Sequence, residues 1–203
     1  MVTPISIGVI GIQGAVSEHI TMMKQVCIDD HVHVNIYAIK DEEELTDLQG
    51  IILPGGESTT ISRFLQYHGL ADAIRKRVTD GSLAIMGTCA GCVLLAKHIV
   101  DDEGDVHPLR VMDMDVKRNA FGRQRESFEQ NVLIKDWNEP FPAVFIRAPL
   151  ITRIYGSCQI LSQIDSHIIM VEQEHILAVS FHPELTSDTR IHQYFLSHVR
   201  SIR

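Results

Sequence analysis

Two short stretches contain residues whose type and spacing could do chemistry. Gly87-Thr88-Cys89-Ala90-Gly91 sets a thiol between glycines, behind the apolar run Leu83 to Met86 and ahead of a helix-like run, Cys92 to Lys97. A strand that turns sharply into a helix with a reactive side chain at the turn is the nucleophile-elbow pattern, here with cysteine in the serine position. The turn would lift the thiol clear of the sheet edge, and a helix N-terminus behind it would favour a nucleophilic thiolate. The glycines matter because such a turn needs unusual φ angles or a backbone approach that a Cβ would obstruct. The same five residues also fit a tight strand-to-helix turn around a buried, inert cysteine, and the motif alone does not choose.

The second stretch is Phe181-His182-Pro183-Glu184, at the end of a strongly apolar run. A cysteine nucleophile needs a base, and the base needs a group that fixes its orientation and tautomer. Among 11 histidines, His182 stands out because a carboxylate follows two residues later. In extended chain, residues i and i+2 face the same side, so Glu184 can reach the imidazole while Pro183 stiffens the link. If both runs end on the carboxyl edge of one open α/β sheet, Cys89, His182 and Glu184 converge.

The elements that would position them read as follows. Ile5 to Ile12 is a continuous apolar run, expected for a strand buried on both faces, and Ser17 to Val26 follows as a helix with Ile20, Met23 and Val26 at helical spacing. Gln13-Gly14 lies between them, at the strand end where open α/β sheets bind ligands, though a plain polar turn explains it as well. Val32 to Ile39 alternates like a strand, Asp41 to Asp47 reads as a short solvated helix, and Gly50 to Leu53 is a third strand. Pro54-Gly55-Gly56-Glu57-Ser58-Thr59 then leaves backbone N–H groups free to face an anion, while Ser58 or Thr59 can cap a helix over Ile61 to Thr79. It is no P-loop, since Gly-Lys-Ser/Thr is missing. After the elbow come an acidic loop near Asp101, an exposed strand over Val111 to Val116, and a polar stretch from Lys117 to Phe128 carrying Arg118, Arg123 and Arg125. Those arginines could serve an acidic ligand, a partner or only solvent. Six short strands from Val132 to Phe181 suggest a mixed or antiparallel edge on the parallel core, and Ser187 to Arg200 closes as a helix with Ile191, Tyr194, Phe195 and Val199 as its buried stripe.

At 203 residues and 45% apolar, the chain suits one α/β domain. A net charge of −8 with no lysine or arginine cluster argues against a nucleic-acid partner. No apolar stretch is long enough to span a bilayer and the N-terminus enters a strand directly, so a cytoplasmic protein with no membrane partner is expected. Four scattered cysteines do not make a disulfide framework. Cys89 and Cys92 form C-x-x-C, which opens a redox reading. No second C-x-x-C or H-x-x-x-H follows, which argues against zinc, and no metal or other cofactor is expected.

With those residues in view, the chain resembles a known family. GTCAG followed much later by FHPE is the pattern of class I (triad) glutamine amidotransferases, flavodoxin-like domains that release ammonia from glutamine. Within them the chain most resembles the glutaminase subunits of pyridoxal 5′-phosphate synthases. The blocks are IGVIGIQGAVSEH (Ile7 to His19), LPGGEST (Leu53 to Thr59), GTCAG (Gly87 to Gly91), RNAFGRQ with SFE (Arg118 to Gln124, Ser127 to Glu129), FIRAP (Phe145 to Pro149) and SFHPELT (Ser180 to Thr186). They span nearly the whole chain in the expected order.

The resemblance implies a flavodoxin-like three-layer sandwich with a mostly parallel central sheet and an added mixed edge. It implies a triad of Cys89, His182 and Glu184, an oxyanion hole from the Gly56 and Ala90 amides, and L-glutamine bound by Gly56, Glu57, Ser58, Arg118 and the Ile146-Arg147 backbone. It also implies a partner, a (β/α)8-barrel synthase subunit forming a dodecamer that carries up to twelve glutaminase subunits, with contact expected around Gln13 and Gly14. Cys92 stands where an aliphatic residue is more usual. Glutaminases that serve other amidotransferases share the triad but not QGAV, RNAFGRQ and FIRAP.

Overall fold

The continuous apolar runs become strands because each residue finds an apolar layer whichever way its side chain points. A computed structural model describes residues 4–100, 104–118 and 127–202. In chain order the elements are β1 (Ile5–Ile10), α1 (Val16–Asp29), β2 (Val34–Ile39), β3 (Gly50–Leu53), α2 (Ser58–Tyr67), α3 (Leu70–Thr79), β4 (Ala84–Thr88), α4 (Ala90–Leu95) and β5 (Ala96–Ile99). Then come β6 (Met112–Lys117), β7 (Ser127–Val132), β8 (Phe141–Ile146), β9 (Leu150–Ile154), β10 (Gln159–Ile164), β11 (His167–Gln173), β12 (Ile176–Val179) and α5 (Arg190–Ser201).

The main sheet runs β2-β1-β3-β4-β12-β11-β9-β6-β5, with β10 paired to β11. From β2 to β12 every pairing is parallel. Beyond β12 the pairings to β11, β9 and β6 are antiparallel, and β5 joins β6 in parallel. β7 and β8 form a separate hairpin. This is the flavodoxin-like sandwich with a mixed edge that the sequence led us to expect.

Alternate residues of the parallel strands feed two cores. Ile51, Leu53, Ile85 and Ala178 pack with residues of α2, α3 and α4, whereas Ile52, Met86, Leu177 and Val179 pack with residues of α1 and α5. Helices therefore cover both faces, and all five parallel strands end on one edge.

Several elements depart from expectation. The single helix over Ile61 to Thr79 is two helices, because Gly69 adopts φ 71° between them. The helix-like run after the elbow ends at Leu95; Lys97 already belongs to β5, whose pairing with β6 overrides helical spacing. The acidic segment is a one-turn 3₁₀ helix, Glu42–Leu45, closed by reciprocal Asp41 and Glu44 bonds. α5 starts at Arg190 rather than Ser187, where Asp188 accepts from the Arg190 backbone N–H and guanidinium. The buried stripe of α1 is His19, Met22, Met23 and Val26, with Ile20 only half-buried. On α5, His192 and Leu196 join the buried stripe and Tyr194 sits at its margin. Most of RNAFGRQ, including Arg123, and also Arg125 lie outside the described residues.

Candidate active site

The register of two parallel strands brings the chemical residues together. Thr88 on β4 sits opposite Val179 on β12, and the Cys89 backbone N–H donates to Val179 O at 2.9 Å. The chain leaving β12 therefore runs past Cys89, and Phe181 anchors it. Its buried ring packs against Phe141 and Phe145, with centroids 5.8 and 5.4 Å away. The His182 backbone N–H then donates to Val144 O at 2.8 Å, which ties the next residue to β8.

Cys89 carries the strain of the elbow itself, at φ 49° and ψ −106°. The flanking glycines act by close approach: a Cβ on Gly91 would lie 2.1 Å from Leu53 O, and one on Gly87 would lie 2.6 Å from the Gly91 carbonyl. A non-glycine residue with positive φ is uncommon and costs of order 1–3 kcal/mol, which the surrounding packing must offset. The turn thus holds the thiol at the rim of a cavity, where it donates to Ile146 O at 3.8 Å.

That cavity, about 420 Å³, lies at the carboxyl edge of the parallel strands. Of the residues singled out in sequence, Gln13, Gly14, Gly56, Glu57, Ser58, Cys89, Ala90, Arg118, Ile146, Arg147 and His182 all line it. Its volume falls in the range of small-molecule sites. Glu184 lies behind His182, with its side chain fully buried. Sequence reading missed Gly55, Ala15, Val93 and Pro149 as lining residues. Gly55 was legible as half of the Gly-Gly pair: a Cβ there would lie 2.5 Å from His182 Cε1 and 3.3 Å from Cys89 Cβ. Gly14 presses on the same loop, since a Cβ on it would lie 1.7 Å from Gly55 O.

Glu184 Oε1 accepts from His182 Nδ1 at 2.7 Å, which leaves Nε2 for the thiol. Burial opposes a charged His182, but hydrogen bonds and charge from Cys89 and Glu184 outweigh it and lift the imidazole to about 10. The site therefore favours an imidazolium beside the sulfur. At the mouth, Arg147 Nη2 and Glu57 Oε2 pair at 3.3 Å with both side chains more than half exposed, and Arg147 itself adopts φ 45°. Such an exposed pair contributes under about 1 kcal/mol to stability and leaves both groups available to a ligand.

Cys92 is fully buried in α4, where burial, then the nearby Cys89 and Cys158, push its thiol strongly upward. All four cysteines are free. Such a thiol is a poor nucleophile and packs as a small apolar residue.

A family model described as "SNO glutamine amidotransferase family" matches residues 9–201. Among curated proteins, "Pyridoxal 5′-phosphate synthase subunit PdxT" of Niallia circulans is 45% identical over 197 residues, covering 97% of this chain and 99% of that protein. The protein of the same name from Pyrococcus furiosus is 44% identical, covering 96% and 99%, and that of Oenococcus oeni is 47% identical, covering 95% of each. A solved structure described as a glutamine amidotransferase superimposes with a TM-score of 0.85 at 41% identity, covering 96% of this chain and 98% of its own.

Proposed function

Since the chain belongs to the SNO glutamine amidotransferase family, we propose that it is the glutaminase subunit of a pyridoxal 5′-phosphate synthase, converting L-glutamine and water to L-glutamate and ammonia. The observation that carries this reading is the strained Cys89 sharing one cavity with a His182 whose Nδ1 is held by Glu184 at 2.7 Å. The Cys89 thiolate attacks the side-chain carboxamide carbon, and the Gly56 and Ala90 amides hold the oxyanion. One such donor is worth about 3 kcal/mol of barrier. His182 gives its proton to the departing nitrogen, so the C–N bond breaks and ammonia leaves a γ-glutamyl thioester. It then takes a proton from water, whose oxygen displaces the sulfur and releases glutamate. Glu184 keeps His182 in the required tautomer.

Arg118 pairs with the substrate α-carboxylate, and Glu57, Ser58 and the Ile146-Arg147 backbone hold the rest. The ammonia passes to a (β/α)8-barrel synthase subunit, twelve of which carry up to twelve glutaminases. Docking is placed at Gln13 and Gly14. Gly14 packs on Gly55, and a Cβ on Gly56 would lie 2.9 Å from Gln13 Nε2, so contact there bears directly on the oxyanion loop.

The test is glutamate release with and without the synthase subunit. The expected result is a higher rate with it, and loss of at least about 10⁴-fold in Cys89→Ala with an unchanged thermal melt. Full activity in Cys89→Ala would overturn the assignment, and equal rates with and without the synthase would remove activation by docking.

A further inference from the structure

Behind Glu184, on the side away from the cavity, lies a second polar cluster that the reaction above does not use. His19 on α1 and His192 on α5 are both fully buried, and His19 Nδ1 lies 3.0 Å from His192 Nε2. His19 Nε2 lies 3.2 Å from Thr88 Oγ1 and 3.4 Å from Glu184 Oε2. That carboxylate oxygen is buried and makes no hydrogen bond of good geometry among the described residues. A carboxylate oxygen left so in a dry interior is costly unless a donor is close.

The geometry selects one tautomer of His19. If Nε2 were bare, its lone pair would face the Glu184 oxygen at 3.4 Å, and His192 Nδ1, which has no hydrogen-bond partner among the described residues, would have to be a buried N–H. If Nε2 carries the proton, that N–H is shared between Thr88 and Glu184, His192 Nε2–H donates to His19 Nδ1, and every buried ring N–H has an acceptor. Burial, reinforced by the repulsion a protonated His19 would meet from His192 and His182 in their charged forms, holds His19 well below its ordinary value, and burial alone takes His192 down to about 3, so both rings are neutral.

We propose that His19 is a positioning residue for the reaction, its Nε2–H steadying the rear oxygen of Glu184 so that the front oxygen stays on His182, with His192 fixing the His19 tautomer. This rests on the Cys89, His182 and Glu184 assignment made above. Among the described side chains, His182 meets the carboxylate in front and His19 behind, with Thr88 sharing the His19 N–H.

Removing His19 alone would strand the His192 N–H, so the informative variant is His19→Leu with His192→Leu, which replaces both partners by apolar groups. The conservative control is His19→Gln in the His192→Leu background, where the glutamine amide can donate from the Nε2 position with no His192 N–H left to strand. Two readouts in the full-length chain would not move if His19 only packed. One is the His182 titration midpoint by ¹⁵N ring NMR, and the other is the rate of Cys89 alkylation by iodoacetamide at pH 7, located by peptide mass. In the double-Leu variant the midpoint should fall by about one unit, a tenfold change in the protonation ratio, and alkylation should slow by about the same factor. His19→Gln with His192→Leu should stay within a few-fold of the parent.

A folded double-Leu variant with the parent's midpoint would overturn the proposal, as would His19→Gln with His192→Leu behaving like double-Leu. Should the double variant not fold, the ring ¹⁵N shifts of the unmodified chain decide: a proton on His19 Nε2 supports the proposal and one on Nδ1 overturns it. If the parent's own His182 titrates near its ordinary value, the assignment in front of Glu184 fails as well, which separates the two failures.

Discussion

Glu184 is flanked by two imidazoles in opposite circumstances. In front, His182 borders the cavity, touches a thiol and a carboxylate, and is lifted to about 10. Behind, His19 and His192 are buried between α1 and α5, where His19 meets His192, Thr88 and the rear oxygen of Glu184, and both are lowered. The same side chain is made a cation on one side of the carboxylate and a neutral donor on the other. What differs is the balance: hydrogen bonds and charge from Cys89 and Glu184 outweigh burial for His182, whereas burial wins for the fully buried His19 and His192.

The contrast breaks most visibly if the front imidazole is removed. His182→Asn should lower glutamine hydrolysis by about 10⁴-fold, because both the proton donor to ammonia and the activator of water are lost. Glutamate release in the presence of the synthase subunit measures it, and a loss below tenfold would mean that another base serves.

Smaller, and opposite in sign, are the effects of the two regions on stability against pH. His192 is lowered in the folded state, so its contribution is complete above about 6.5 and is lost as pH falls through about 3, at about 1.4 kcal/mol per pH unit between. His182 is raised, so its contribution is complete below about 6.5 and is lost as pH rises through about 10. Denaturant melts across pH 4 to 10 should therefore show a shallower acid limb in His19→Leu with His192→Leu, and a shallower alkaline limb in His182→Asn. Limbs unchanged in both would contradict the contrast.

The front region was legible in sequence and the rear was not, for a physical reason. Cys89, His182, Glu184 and Gly56 announce themselves through local rules, namely glycines about a turn, a carboxylate two residues from a histidine, and a Gly-Gly pair after a strand, whereas Glu57 is reached only through the family resemblance. His19 and His192 meet only because α1 and α5 pack on the same face of the sheet, a contact spanning 173 residues of sequence. A signal was present in each helix: His19 occupies the first place in an i, i+3, i+4, i+7 stripe with Met22, Met23 and Val26, and His192 lies among Ile191, Phe195, Leu196 and Val199. A polar residue on an apolar stripe is the informative kind of exception. The division of α2 from α3 was hidden similarly, since Gly69 within a helical pattern is tolerated in some contexts and breaks the helix in others.

The smallest effect is expected at the mouth of the cavity. Arg147→Ala removes an exposed pair with Glu57 and should change thermal stability by under about 1 kcal/mol. Its effect on catalysis should be confined to a few-fold rise in KM for glutamine, with kcat preserved, as expected for lost ground-state binding. A large fall in kcat would move Arg147 from the rim into the reacting centre.

The most direct measurement is mass spectrometry of the unsubstituted chain, quenched in acid during the first turnovers of glutamine in the presence of the synthase subunit. A glutamyl adduct on the peptide that contains Cys89 is the predicted result. Continued glutamate release with no adduct on that peptide, or an adduct on another cysteine, would contradict the account.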